Sequence, residues 1–230
     1  MELLDGLLAV QYQWDLSAVG KALGPLARGL QATIFVTIVV MALSVPLGFA
    51  VALGRRSRYR AIRAATYGYT ELFRTTPVLV QIVFFFFVLP IYFGITTEAV
   101  VAGIIALTLN VAAFVAEIFR GSISSIAPGQ WDAALSTGMS PRTAMRRIIL
   151  PQAFRRAIPL LAYIWVGLFK DTSLLAAIGV REMAFEARVL ASDTYRPIEI
   201  LTTAAVVYFL LTYPQSLIVN RLFEKFRVQE

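Results

Sequence analysis

Long stretches without charge divide this chain. No Asp, Glu, Lys or Arg occurs from Gly29 to Gly54, Thr75 to Thr97, Ala99 to Ala116 or Ile200 to Asn220. Each approaches or exceeds the roughly 18–20 residues with which a helix crosses a hydrocarbon core. A fifth stretch, Pro159 to Val180, is long enough but carries Lys170 and Asp171. Backbone groups in lipid must be satisfied within their own segment. The pattern therefore predicts an all-α polytopic membrane protein with five transmembrane helices, near 31–54, 78–93, 98–118, 159–180 and 198–219. No internal repeat or soluble-domain linker interrupts it, so residues 1–230 read as one membrane domain.

The connections differ in character. In Arg55–Pro77, the residues Ile62, Ala65, Tyr69, Leu72 and Phe73 recur near helical spacing with arginines between them, which predicts an amphipathic helix on the inner membrane surface. Pro46 and Gly48 predict a kink in the first span, and the phenylalanine run Phe84–Phe87 reads as lipid-facing bulk. Met1–Trp14 holds Glu2 and Asp5 and no early Lys or Arg; it reads as an interfacial helix leading into the first span rather than a signal peptide.

Charge adds an orientation. The connection after span one, the one after span three and the tail after span five hold fifteen of the 21 basic residues. Cytoplasmic loops carry the Lys/Arg excess, so the N-terminus is expected outside and the C-terminus inside. The net charge of +7 thus reflects topology, not a nucleic-acid footprint. An apolar fraction of 58% agrees with burial in lipid. Histidine and cysteine are absent, which removes the commonest metal ligand, the usual neutral-pH base and any thiol chemistry. No catalytic residue and no metal ligand is assigned.

The third connection, about 127–151, is built as a pair of short helices. Pro128 suits a first helical position, Asp132 the first turn, and Trp131, Ala134 and Leu135 form an apolar stripe. Gly138 fits a left-handed cap, Ser140 an N-cap and Pro141 the next first position. Ala144, Met145, Ile148 and Ile149 then share a face opposite Arg142 and Arg146, and Pro151 is expected to end the second helix. Such a pair either packs on its own domain or receives a partner.

Asp132-Ala133-Ala134, Gly138 and Ile149-Leu150-Pro151 stand at the spacing of the EAA signature, and the chain resembles ATP-binding-cassette importer permeases, with Asp132 in place of the usual Glu. The stretches Gly29–Ile34, Glu71–Gln81, Ala116–Ala134 and Lys170–Gly179 resemble the polar amino acid branch, the histidine/glutamine/arginine type, with Thr75 where a glycine is often found. The resemblance implies a type I importer permease fold in a bacterial inner membrane. It implies that the paired helices couple to a cytoplasmic ATPase. It further implies a second permease chain, identical or homologous, two ATP-binding subunits and an extracytoplasmic amino acid-binding protein. No G-x-x-x-x-G-K-[ST] phosphate loop occurs, so ATP and Mg would be held by the partner ATPase and no cofactor by this chain.

Charges inside spans cost about 2.5–3.5 kcal/mol each on insertion scales. Lys170, Asp171, Thr172 and Ser173 sweep most of a helical turn, so span four is either buried on several sides or broken there, lining a cavity. These residues either hold the bundle's register or meet substrate at a pathway or gate. Asn110 is open to a helix–helix hydrogen bond or to a pathway role. Glu117 reads as a structural ion-pair member, with Arg120 at i+3 or with Arg74. A secondary transporter or channel subunit needing no ATPase is the rival reading.

Overall fold

The computed structural model describes residues 13–226, and every regular element among them is helical. In chain order these are α1 (Leu16–Gly54), α2 (Arg60–Thr75), α3 (Val78–Phe93), α4 (Ala99–Ser124), α5 (Pro128–Ser136), α6 (Pro141–Ile178), α7 (Met183–Thr194) and α8 (Pro197–Phe226). Helices α1, α4, α6 and α8 are each long and apolar enough to cross a membrane, and α2 with α3 makes a fifth span if the bent pair counts as one. Met1–Trp14, expected as an interfacial helix, lies mostly outside the described residues.

α1 starts well before the expected Gln31. Arg28 ends the uncharged run but not the helix, because Asp15 caps it by accepting the Ser17 N–H at 2.8 Å. Ala18, Ala22 and Leu26, spaced by four, are buried against Met183, Ala187 and Ala191 of α7 and Ile200 and Ala204 of α8. This packing forms a second core beyond the N-terminal end of α4. Further along α1, Gly29, Thr33, Thr37, Val40, Ser44, Gly48 and Ala52 continue one buried stripe. The Ser44 hydroxyl donates to the Thr108 carbonyl at 3.2 Å. A Cβ on Gly48 would stand 2.6 Å from both the Ala112 carbonyl oxygen and Val115. Residues 44 and 48 thus meet 108 and 112 in order, so α1 and α4 run parallel with their backbones close, as small residues allow in membranes.

The main core gathers Val36 and Val40 of α1, Ile82 of α3, Leu107, Val111, Val115 and Phe119 of α4, and Leu168 and Leu175 of α6. Phe85 and Phe86 pack against it, whereas Phe84 and Phe87 are exposed, so only half of that phenylalanine run faces outward.

Prolines shape two helices in the same way. A five-residue π turn, Phe84–Val88, precedes Leu89-Pro90, and another, Met145–Ile149, precedes Leu150-Pro151. In each the leucine N–H bonds the carbonyl five residues back, to Phe84 and to Met145. Proline lacks a donor and its ring crowds the carbonyl four residues before it. One widened turn makes the room. Pro151 therefore does not end the second short helix as expected; α6 continues through it and through Pro159.

Candidate functional site

The α5–α6 elbow adjoins the C-terminal end of α4. Pro128 is the first residue of α5, which makes Asp132 the fifth, one turn later than the sequence suggested. Gly138 closes α5 with φ 80°. Its N–H bonds the Leu135 carbonyl at 3.0 Å and the Met139 N–H bonds the Ala134 carbonyl at 3.3 Å, a Schellman closure. Ser140 caps α6 by accepting the Thr143 N–H, with Pro141 in first position.

The elbow has an inner and an outer face. Ala134, Ala144 and Ile149 are buried; Ile123, Ile126, Ile149 and Ala153 form a core against which Trp131, Met145, Ile148 and Leu150 pack. Gln152 Nε2 donates to Gln130 Oε1 at 3.0 Å, tying α6 to α5. Arg156 donates to the Ser125 carbonyl and hydroxyl, tying α6 to the end of α4. Asp132, Ala133, Leu135, Gly138 and Pro151 are exposed on the outer side. The quoted signature thus splits: Ala134, Ile149 and Leu150 mount the elbow, and the rest is presented.

A second constellation surrounds the break between α2 and α3, whose axes differ in direction by 107°. Pro77 has no N–H, so the Phe73 carbonyl four residues earlier loses its helical donor. Asn110 Nδ2 supplies one at 2.9 Å and Gln81 Nε2 another at 3.0 Å. Gln81 also donates to the Thr76 carbonyl at 3.0 Å and accepts from Asn110 at 3.1 Å. Asn110 is a helix–helix anchor that satisfies a broken backbone in an apolar layer. α2 is amphipathic as its pattern predicts, and its inner face reaches the bundle, for the Tyr69 hydroxyl donates to the Leu109 carbonyl in the middle of α4. Gln81, inside a motif-bearing stretch, was passed over because a lone glutamine signals nothing until the orphaned carbonyl beside it is known.

Nearer the elbow, Glu117 pairs with Arg120 at 2.7 Å and with Arg55 at 2.7 Å. Arg55 also donates to the Thr70 hydroxyl at 2.6 Å, joining α1, α2 and α4. Arg74 is not the ion-pair partner it was expected to be; its guanidinium sits 5.7 Å from the Phe114 ring centroid. Arg55 was missed because its partner lies 62 positions away.

The Lys170–Ser173 segment stands apart from both. The α-helical part of α6 ends at Asp171 and a 3-10 turn, Thr172–Ile178, takes over. Leu175 packs where a Gly103 Cβ would go, and Phe154 meets the Phe119 ring at 5.0 Å, so Lys170 lies between those levels, nearer the first. Lys170 is exposed, Asp171 and Ser173 are half-buried, and Thr172 is buried with its hydroxyl on the Phe169 carbonyl at 2.7 Å. Ser173 donates to the Lys170 carbonyl at 2.6 Å.

At the far end, Glu182 is fully buried and caps α7, accepting from the Ala184 and Phe185 N–H groups at 2.9 and 2.7 Å. Tyr208 of α8 donates to it at 3.0 Å. Burial outweighs these donors and raises its pKa above the ordinary 4.5.

A bundle of long apolar helices, with intramembrane polar anchors and a firmly mounted elbow at one end, defines a polytopic membrane transport subunit. Residues 44–228 match the family described as the inner membrane component of binding-protein-dependent transport systems. The chain belongs to that family and is a permease subunit of an importer of the ABC class. It is 37% identical to the probable amino-acid permease protein YxeN of Bacillus subtilis, over 89% of this chain and 92% of that one. It is 31% identical to the glutamine transport system permease protein GlnP of Escherichia coli, over 94% and 99%. A solved amino acid ABC transporter, crystallised with histidines, superposes with a TM-score of 0.88 at 33% identity, covering 94% of this chain and all of that chain. The methionine transporter MetNI, at 19% identity and a TM-score of 0.75, shares the fold.

Proposed function

We propose that this subunit forms half of the membrane path of an ATP-driven importer of polar amino acids, with the α5–α6 elbow seated on a cytoplasmic ATPase. The observation that carries the reading is the two-faced elbow: an exposed side bearing Asp132, Ala133, Leu135 and Gly138, over an inner side locked to α4 by Ile123, Ile126, Ile149 and Ala153. A surface mounted this firmly passes a push from a partner into α4 and α6 instead of absorbing it. The amino acid class is supported by relatives that carry amino-acid or glutamine transport in their names.

The further parts follow from this reading. ATP and Mg are held by two partner ATPase subunits, and this chain holds no cofactor. A second permease chain completes the path, and a soluble binding protein delivers substrate at the end where α1, α7 and α8 pack. The arginine-rich ends lie in the cytoplasm, so the N-terminus is outside a bacterial inner membrane. Lys170 and Asp171, one exposed cation beside one half-buried carboxylate, offer both charges that an amino acid zwitterion requires.

The test is uptake of radiolabelled amino acids by proteoliposomes containing the assembled transporter. Asp132→Lys with Leu135→Glu, both on the exposed side, is expected to release the ATPase and cut uptake at least about tenfold, as loss of a central contact does. Unchanged uptake with the ATPase still bound overturns the docking assignment. Uptake by the permease alone without nucleotide favours the channel or secondary-transporter reading.

A further inference from the structure

Five arginines line one cavity at the elbow end of the spans. Arg55 and Arg56 follow α1, Arg60 and Arg63 open α2, and Arg120 stands in the last turns of α4, bordering an open cavity of about 660 Å³ with Ala64, Tyr67 and Ser124. Among the described residues no carboxylate lines it. Glu117 pairs with both Arg55 and Arg120, which leaves one carboxylate for two guanidiniums and, among the described residues, none for Arg56, Arg60 and Arg63.

The start of α2 compounds the excess. Its N-cap, Tyr59, makes no side-chain capping bond, and no acid occupies its first turn. A helix N-terminus carries about half a positive charge and favours anions. Here Arg60 and Arg63 add to that charge instead of offsetting it. Arg60, Arg63, Ala64 and Tyr67 fall at i, i+3, i+4 and i+7, so a single face of α2 turns into the cavity. Among the described residues this sets like charges at the positive end of a dipole; Arg63 donates to the Ser57 carbonyl at 3.3 Å, and an anion from outside would relieve the remaining excess.

Position selects the anion. The cavity lies where α1 and α4 end, at the level of lipid headgroups; Tyr67 on its wall and Tyr59 and Ile62 beside it are exposed, an apolar and aromatic fringe suited to the membrane boundary. The elbow that receives a protein partner is a separate surface. We infer that this cavity binds the phosphodiester headgroup of an anionic phospholipid, held by Arg56, Arg60 and Arg63. Guanidinium forks match phosphate oxygens in pairs, which gives the site geometric selectivity beyond general attraction.

The shared chemistry with soluble phosphate is separated experimentally. The assembled transporter, purified with its partner subunits in neutral detergent, is titrated with phosphatidylglycerol, phosphatidylcholine or inorganic phosphate and followed by native mass spectrometry and thermal unfolding. Phosphatidylglycerol is expected to remain as a discrete adduct and raise the melting temperature, whereas phosphatidylcholine is not. Arg60→Gln with Arg63→Gln, both exposed and outside every ion pair described, should weaken the adduct roughly thirty-fold, from two arginines near a charged headgroup. Arg58→Gln, which removes equal charge per residue but from a side chain stacked on Tyr59 outside the cavity, should leave it unchanged. Equal weakening by Arg58→Gln, retention by the double variant, or no adduct on the assembled complex overturns the site. Stabilisation by inorganic phosphate equal to that by phosphatidylglycerol overturns the lipid assignment. Failure of amino acid uptake in the elbow test leaves these outcomes untouched, since the cavity depends only on the chain spanning a membrane.

Discussion

The junction at Pro77 gives a quantitative test of the fold. Asn110→Ala deletes the 2.9 Å bond to the Phe73 carbonyl and the 3.1 Å bond to Gln81. At about 0.5–1.5 kcal/mol net for each bond, the loss is about 1–3 kcal/mol. Gln81→Ala removes in addition the bonds to Thr76, and about 2–4 kcal/mol is expected. The two side chains share the Phe73 carbonyl and one mutual bond, so the double variant should depart from additivity by about 1 kcal/mol. Unfolding of the purified permease in mixed micelles by increasing SDS, read by tryptophan fluorescence, measures all four corners of the cycle. Additivity within about 0.3 kcal/mol, or a stability for Asn110→Ala equal to wild type, refutes the claim that these amides replace the donor that Pro77 lacks.

Other expectations follow from the same geometry. Glu117→Gln leaves Arg55 and Arg120 without their shared carboxylate and should cost about 2–4 kcal/mol, whereas Arg74→Gln should cost under about 0.5 kcal/mol in the same assay. Gly48→Ala drives a methyl into the Ala112 carbonyl and should destabilise by about 1–3 kcal/mol. Gly138→Ala meets open space but must hold φ 80°, and about 1–2 kcal/mol of strain should lower the melting temperature and, on the proposed docking of the elbow, the affinity for a partner ATPase as well. Glu182 has its pKa raised in the fold, so its protonated form is favoured there. Its stabilising contribution is complete below the ordinary 4.5 and is lost as pH rises through the raised value. The melting temperature of wild type minus that of Glu182→Gln should therefore fall from acid toward neutral pH, and parallel curves would refute this.

Much of the architecture is legible in the sequence because burial in lipid forces uncharged runs of fixed length. The caps are legible too: Pro128, Gly138, Ser140 and Pro141 stand where local backbone chemistry requires them. What resists reading is whatever depends on distant pairing. Arg28 looks like a boundary, yet α1 passes it because Ala22 and Leu26 find α7 more than 150 positions later. Arg74 is nearer than Arg55 to Glu117 in sequence, and the geometry of α1 reverses the preference. Pro151 looks like a stop until a π turn absorbs it. Gln81 and Asn110 carry meaning only once the bend is known.

The stripe of small residues on α1 has a mechanical corollary. With the Ala112 carbonyl and Val115 filling the space beside Gly48, there is no slack for α1 to slide or rock against α4. The two helices must travel as one beam, with its handle at the Ile123–Ile126 end and its far tip at the α7 cap. Any displacement delivered at the handle is therefore carried along the pair toward the tip beside Gly29, roughly 30 residues or about 45 Å of helix away at about 1.5 Å per residue.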